Sequence, residues 1–200
     1  MNKGRMEAFS DGVLAIIITI MVLEIRVPKG AGFTDLKPLF PLVMSYALSF
    51  VYLAIYWNNH HHMLHTVKRV TGDILWANLH LLFWLSLIPF TTGWMGENHF
   101  APAPMAVYGF VLLMAAVAYF ILQGRILKRH GPDSLLAKAI GKDLKGKISP
   151  ILYMVAIAFT CLNPWISGGI YVLVALIWLV PDKRIEVIFR DENGSGREKK

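Results

Sequence analysis

Six long apolar segments divide this chain, and they restrict its possible folds more than any other feature. Most of them approach the roughly twenty residues that an α-helix needs to cross a bilayer. Lipid offers no partner for free backbone N–H and C=O groups, so helices are the expected spanning elements. Only 16% of the residues are charged, whereas soluble domains average about a quarter. The sequence therefore predicts an all-α integral membrane protein with six transmembrane helices. The segments are Phe9–Val27, Leu39–Tyr56, Ile74–Trp94, Met105–Leu127, Ile148–Trp165 and Ile166–Val180.

Basic residues are distributed unevenly among the connections between these segments. If the segments alternate in direction, 17 of the 20 lysines and arginines lie on the side of the N-terminus, and only Arg26, Lys29 and Lys37 lie opposite. Cytoplasmic loops carry such an excess of positive charge. We therefore expect both termini in the cytoplasm and a multi-pass location in the plasma membrane. The same bias accounts for the net charge of +7, so the lipid bilayer is the expected partner and nucleic acid is not.

The remaining regions suggest no second folded domain. A single six-helix domain is expected over residues 1–190, followed by a polar tail over 191–200 that we predict to be disordered. The basic stretch 133–147 fits either a short helix on the cytoplasmic surface or a plain loop. A tight turn within 163–169 is expected to separate the last two segments.

Two acids border the uncharged part of the first segment. Asp11 precedes Gly12–Leu23 and Glu24 follows it. These twelve residues are too few to cross about 30 Å of hydrocarbon. Both carboxylates must therefore lie at or near membrane depth, where acids usually face protein or water. The first helix is thus expected inside an assembly, with Asp11 buried there.

The helical repeat groups several residues of this run on one face. At 100° per residue, Asp11 falls on roughly the opposite side from this face. An arc of about 100° holds five residues, namely Gly12, Ile16, Thr19, Ile20 and Leu23.

Thr19 and Glu24 each allow two interpretations. The Thr19 hydroxyl either faces the centre of an assembly or bonds the carbonyl of Ala15, four residues back, as membrane threonines often do. The Glu24 carboxylate either concentrates cations at an extracellular mouth or pairs with Arg26 or Lys29.

The second helix ends in a run of aromatic and histidine side chains. Trp57 and His61 share one face at a spacing of four residues, on the same side of the membrane as Asp11. Asp11 is therefore expected to accept a hydrogen bond from the indole or from a histidine, and Arg5 to stack on a tryptophan. A metal site is not expected, because adjacent histidines point in different directions and no HExxH motif or cysteine pair accompanies them.

Several short motifs point to a known family. The chain reads RMEAFSD over 5–11, VLEI over 22–25, YWNNHH over 56–61, LIPFTT over 87–92 and YG over 108–109. These stretches resemble the RxxxFSD signature and later helices of the transmembrane protein 175 family, the endosomal/lysosomal potassium channels. The resemblance covers nearly the whole chain, which holds one copy of the six-helix unit, as in bacterial members of the family.

The resemblance implies a homotetramer whose first helices line a central pore for potassium and other monovalent cations. It implies an apolar constriction formed by Ile16, Ile20 and Leu23, with a layer of hydroxyls from Thr19. It also implies that a network anchors the cytoplasmic end of the first helix. The residues of this network are Arg5, Phe9, Ser10, Asp11, Trp57 and His61.

The leading functional prediction is a potassium-permeable channel that is modestly selective over sodium and uses no cofactor. There is no TVGYG filter and no ring of acids at mid-helix. A secondary transporter would need a helix broken at mid-membrane, and only Pro89 lies well inside a span. An enzyme would need a nucleophile, base or metal set at one depth, and none is found. A transporter, or a membrane scaffold that conducts no ions, remains the alternative.

Overall fold

The computed structural model describes residues 2–131, 134, 136–137 and 143–179, and this part of the chain is helical. The side chain of Asn2 caps the first helix by accepting a hydrogen bond from Gly4 N at 3.2 Å. The helices are α1 (Lys3–Leu23), a 3₁₀ helix (Phe33–Leu39), α2 (Phe40–His65), α3 (Gly72–Ser86), α4 (Ile88–Glu97), α5 (Pro102–His130), α6 (Leu144–Phe159) and α7 (Pro164–Leu179).

Four stretches of the described chain are long and apolar enough to cross a membrane. They are Lys3–Leu23, Phe33–His65, Gly72–Glu97 and Pro102–His130. The other two helices, α6 and α7, have 16 residues each. At 1.5 Å per residue the described part of each is about 24 Å long, which is shorter than the hydrocarbon core.

The third span consists of two helices, α3 and α4, which meet at Leu87. Pro89 lies in the first turn of α4. A proline has no N–H to donate and its ring crowds the carbonyl four residues earlier, so the continuous helix is interrupted there. The predicted segment Ile74–Trp94 is thus one span with a break, and Pro89 explains the break.

The boundary predicted between the last two segments is wrong. The turn lies at 160–163, and Pro164, Trp165 and the glycines at 168 and 169 belong to α7. Asn163 Oδ1 accepts a hydrogen bond from Trp165 N at 2.9 Å and so caps the helix. Pro164 occupies the first turn of α7, where its missing N–H costs nothing. The Asn-Pro pair therefore starts a helix, although its composition also fits a turn.

Two buried apolar clusters hold the helices together. The first joins α1, α2, α3 and α5, and the second joins α2, α5, α6 and α7. The first helix packs on α2, α3 and α4 only along one side. Seven of the fifteen residues in 133–147 and the whole tail 191–200 lie outside the described residues. Of the predicted surface stretch, Leu144–Lys147 forms the first turn of α6.

Candidate functional site

The first helix buries one stripe and leaves the opposite stripe uncovered. The buried residues follow each other at intervals of three or four, as one face of an α-helix requires. They contact the core shared with α2 and α3. This stripe consists of Met6, Ser10, Leu14, Ile17 and Met21.

The uncovered stripe is the face predicted from the helical repeat, and we call it the exposed face of α1. Gly12 and Thr19 are exposed, and Ile16, Ile20 and Leu23 are 59%, 42% and 78% exposed in the single chain. A run of large apolar side chains on an uncovered face is typical of a surface that meets another molecule or lipid. The structure thus separates these five residues from the buried stripe.

Thr19 forms a local hydrogen bond, but not the predicted one. Its Oγ1 donates to the carbonyl of Ile16, three residues back, at 2.8 Å. The predicted acceptor was Ala15. A hydroxyl that donates in this way keeps its oxygen lone pairs free to accept or to face a cation. The two interpretations of Thr19 are therefore compatible.

A groove of about 620 Å³ runs beside the exposed face, between α1 and α4. Ile16, Ile20 and Glu24 line it from α1. A Cβ added at Gly93 of α4 would lie 3.8 Å from Glu24 Oε2, so the carboxylate lies close to this helix. Arg26 pairs with Glu97 across 3.5 Å. Among the described residues the predicted alternative, a Glu24 pair with Arg26 or Lys29, does not form.

The predicted anchoring network forms in part, at the N-terminal end of α1. The indole Nε1 of Trp57 donates to Asp11 Oδ1 at 3.0 Å, and His61 stacks on Trp57 with ring centroids 6.1 Å apart. Asp11 is exposed in the single chain, so its expected burial is wrong for the isolated subunit. Phe9 is also exposed. Arg5 is exposed and has no hydrogen-bond or ion-pair partner among the described residues, so its expected stacking is not seen.

Sequence reasoning missed a second, buried polar contact at the same end. Ser10 Oγ donates to the carbonyl of Met6 at 2.8 Å and accepts from Asn78 Nδ2 at 2.9 Å. Asn78 Oδ1 accepts from His60 Nε2 at 2.7 Å. Ser10, Asn78 and His60 are each at most 3% exposed, and we call them the buried polar triad. The triad links α1, α3 and α2 inside the bundle.

The neighbouring histidine, His60, has a buried role that the sequence analysis did not assign to it. The signal was present in the periodicity of α2, where Tyr52, Tyr56 and His60 recur every four residues on its buried face. His60 and His61 point in different directions. Within the described ranges, no group of three or more histidine, cysteine or acidic side chains is arranged to hold a metal ion.

A third contact, also missed, lies behind the C-terminal half of α1. Ser49 Oγ is 2.7 Å from Thr92 Oγ1 and 3.1 Å from the hydroxyl of Tyr108. Thr92 Oγ1 in turn lies 3.9 Å from the sulfur of Met21. This buried hydroxyl cluster connects α2, α4 and α5, and α1 reaches it through Met21. The side chains that form it lack charge, so composition did not reveal it.

Comparison with known proteins identifies the family. The sequence profile described as "Endosomal/lysosomal potassium channel TMEM175" matches residues 5–89, which include the RMEAFSD stretch. A potassium channel of Chryseobacterium sp. (strain P1-3) is 58% identical over 186 residues, covering 93% of this chain and 97% of that protein. The chain belongs to the TMEM175 family. Members of this family are ion channels and not enzymes, and the predicted family and multi-pass membrane character are confirmed.

A solved structure supports the TMEM175 fold. The crystal structure of a lysosomal potassium-selective channel TMEM175 homolog from Chamaesiphon minutus aligns with a TM-score of 0.78 and 31% identity, covering 89% of this chain and 96% of that chain. An endosomal/lysosomal proton channel TMEM175 of Mus musculus is 25% identical over 198 residues. The match covers 88% of this chain but 40% of the mouse protein. The all-helical fold predicted from the apolar segments is thus that of a TMEM175 homolog.

Proposed function

We propose that this chain forms a homotetrameric, potassium-permeable channel of the plasma membrane whose pore is lined by α1. One observation carries the proposal. The first helix is packed on one side and presents an apolar stripe with a single threonine on the other. One helix cannot enclose a pore, so copies of this stripe must meet about a common axis, as in closed cyclic assemblies. The names of the bacterial relatives, which are potassium channels, support the choice of ion.

The constriction follows from the chemistry of the exposed face. Ile16, Ile20 and Leu23 offer an ion no oxygen, so an ion that loses hydration water there is poorly compensated. Thr19 supplies the one hydroxyl layer in this part of the pore. Potassium sheds its water more readily than sodium, and an apolar neck therefore favours potassium to a modest degree. Such a neck also closes easily by dewetting.

The proposed topology has six spans with both termini in the cytoplasm. The bias of 17 basic residues to 3 supports this orientation. It requires α6 and α7 to cross as a hairpin, although each is about 24 Å long. A bilayer thins locally around a short span at modest cost, so two short helices packed on α5 are compatible with crossing.

A secondary transporter is the second candidate, and the break between α3 and α4 favours it. Transporters place binding sites at interrupted helices near the midplane. Glu24 and Glu97 beside the groove lie near one end of their helices and not at mid-depth. No acidic side chain therefore lies at the break itself, where the described residues 83–93 carry no charge.

Single-channel recording from purified protein in a planar bilayer tests the proposal. With potassium on one side and sodium on the other, we expect discrete currents whose reversal potential favours potassium modestly. Native mass spectrometry of the same sample should give four copies. Flux without discrete currents that saturates like a carrier would support the transporter, and a stable monomer that conducts would refute the assembly.

A further inference from the structure

The connection between α1 and α2, residues 24–39, leaves large apolar side chains uncovered at one end of the bundle. Its 3₁₀ helix has three residues per turn, so Phe33 and Leu36 lie on the same side of it. They are 92% and 50% exposed, and Phe40, which begins α2, is 63% exposed. No residue of the 3₁₀ helix is buried, so its apolar side needs a partner from outside the described chain.

The length of α2 places this 3₁₀ helix at a membrane surface. With 26 residues, α2 is about 39 Å long and can cross the roughly 30 Å of hydrocarbon by itself. The 3₁₀ helix that precedes it therefore lies at the edge of the hydrocarbon and not within it. Aromatic rings are enriched at this depth, and lysines there keep their ammonium groups among the lipid headgroups.

Two lysines of the connection have no ion-pair partner among the described residues. Lys29 and Lys37 are both exposed, and Lys37 belongs to the 3₁₀ helix itself. The third cation of the connection, Arg26, is paired with Glu97 across 3.5 Å. The apolar side of the helix is therefore bordered by two positive charges that are available to an outside partner.

The fold of the connection brings these two lysines to the same helix. Gly32 N donates to Asp35 Oδ2 at 2.9 Å, and a Cβ at Gly30 would overlap the same carboxylate. The chain at Gly30 therefore passes directly against Asp35, which places Lys29 beside the helix that carries Lys37. Asp35 forms an ion pair with neither lysine, because its carboxylate is turned toward the backbone of the loop.

We propose that the α1–α2 connection is a membrane-surface anchor that binds the headgroup of an anionic phospholipid. Phe33, Leu36 and Phe40 insert at the boundary between headgroups and acyl chains, and Lys29 and Lys37 contact the lipid phosphate. Short helices with apolar side chains on one side and lysines beside them lie in the membrane interface in this way, and anionic lipid strengthens their binding.

A lipid fits this surface better than a second copy of the chain. An anionic bilayer surface supplies apolar depth and negative charge together. Another copy would have to supply free carboxylates, whereas at this end of the described bundle Glu97 already pairs with Arg26, and Glu24 lies in the groove between α1 and α4. The proposal does not depend on the proposed pore, because the residues of the anchor are not on the exposed face of α1.

Site-directed fluorescence measures where the connection lies. The full chain with Cys161→Ser carries an NBD label at Phe33→Cys, or at His99→Cys in the exposed turn between α4 and α5, and is reconstituted into vesicles. We expect phosphatidylcholine with an acyl-chain nitroxide to quench the Phe33→Cys label, and iodide on both sides of the membrane to leave it bright. The His99→Cys label should show the reverse. Quenching of the Phe33→Cys label by iodide would place the segment in water, and quenching by neither agent would mean that protein covers it. Either result would overturn the proposal.

A second series with the same Phe33→Cys label isolates the charge. Nitroxide-labelled phosphatidylglycerol should reach half-maximal quenching at a severalfold lower mole fraction than phosphatidylcholine, because each lysine near the surface favours anionic lipid by about fivefold. Lys29→Gln combined with Lys37→Gln should remove this difference and leave quenching by phosphatidylcholine unchanged. Lys3→Gln, at the other end of α1, should have no effect. Equal quenching by the two lipids before any lysine is changed, or a preference that survives the double change, would overturn the headgroup site.

Discussion

Thr19 is the residue on the exposed face of α1 whose chemistry differs most from its neighbours. Its proton is donated to Ile16 O at 2.8 Å, so only its oxygen is available to water or an ion. Thr19→Val has nearly the same shape and removes that oxygen. We predict that the reversal potential under a potassium/sodium gradient moves toward the value of a channel that does not discriminate between the two ions. Expression should be unchanged.

The control for this change is Val22→Thr, which adds a hydroxyl elsewhere on the same helix. Val22 is exposed but lies about 120° around the helix from Ile16. The reversal potential of the Val22→Thr channel should match that of the wild type. A shift in Val22→Thr with none in Thr19→Val would place the pore on another face of α1.

Ile16 tests the apolar character of the proposed constriction. An asparagine there adds one polar group from each subunit of the proposed assembly to the neck and stabilises water in it. We predict that Ile16→Asn raises single-channel conductance and lowers discrimination between potassium and sodium. Ile16→Val, which stays apolar, should keep the wild-type selectivity, and a lower conductance in Ile16→Asn would argue against a dewetting neck.

The buried polar triad should matter more for stability than the exposed contact of Asp11. Asn78→Leu leaves Ser10 and His60 without their partner inside the bundle, which costs about 2 kcal/mol. Asp11→Ala removes one hydrogen bond at an exposed site, and we expect it to cost less, about 1 kcal/mol. Thermal unfolding in detergent ranks the two. A larger loss in Asp11→Ala would mean that assembly buries this carboxylate, as the sequence first suggested.

These residues also show where sequence reasoning was sufficient. The helical repeat was sufficient to group five exposed residues on one face, but a run that is apolar on all sides could not show which face is left uncovered. These residues are Gly12, Ile16, Thr19, Ile20 and Leu23. The buried role of His60 was not predicted, because an adjacent residue differs by 100° on the helix and only His61 shares the face of Trp57. Asn78 has no charge and no motif spacing, so only the packing of α3 against α1 reveals its role.

At the scale of helices, α4 is held close to α2 by a glycine. A Cβ at Gly96 would lie 2.7 Å from Leu42 Cα and 2.6 Å from Ser45 Oγ, so backbone would have to move. We predict that Gly96→Ala lowers the unfolding free energy by about 1–3 kcal/mol through overpacking. Thermal unfolding in detergent measures the change.

Gly93, almost one turn earlier in α4, provides a matched comparison. A Cβ there meets only Glu24 Oε2, at 3.8 Å, which is an ordinary contact. Alanine is also the better helix former by about 1 kcal/mol. Gly93→Ala should therefore be neutral or stabilising. Equal losses in both variants would mean that α4 is sensitive to any added methyl group and not to its approach to α2.

The order of the helices was largely predictable, but their ends were not. The hydropathy of the segments gives α1 to α5, because membrane depth fixes the length of an apolar run. The start of α7 was misplaced because an Asn-Pro pair, here Asn163 and Pro164, occurs both in turns and at the start of helices. The third span was predicted as one segment because its apolar composition does not show that Pro89 divides it into α3 and α4.

At the scale of the whole molecule, the proposed channel needs more than one subunit. The stripe from Gly12 to Leu23 is apolar and uncovered, whereas the opposite stripe of the same helix is packed. In an assembly with a closed rotation axis, the same stripe of every copy can face that axis, so one sequence can line the whole pore. In the proposed assembly, the contact of Asp11 with Trp57 and the buried polar triad would join each α1 to α2 and α3 at its N-terminal end.

Cysteine accessibility of α1 tests the proposed pore most directly. The chain has a single cysteine, Cys161, so a Cys161→Ser background leaves no native thiol. We predict that a membrane-impermeant cationic thiosulfonate blocks the potassium current of Ile20→Cys and Leu23→Cys. It should leave Leu14→Cys and Met21→Cys, on the buried stripe, unaffected. Block of the Leu14 and Met21 variants with full current in the Ile20 and Leu23 variants would contradict a pore lined by the exposed face of α1.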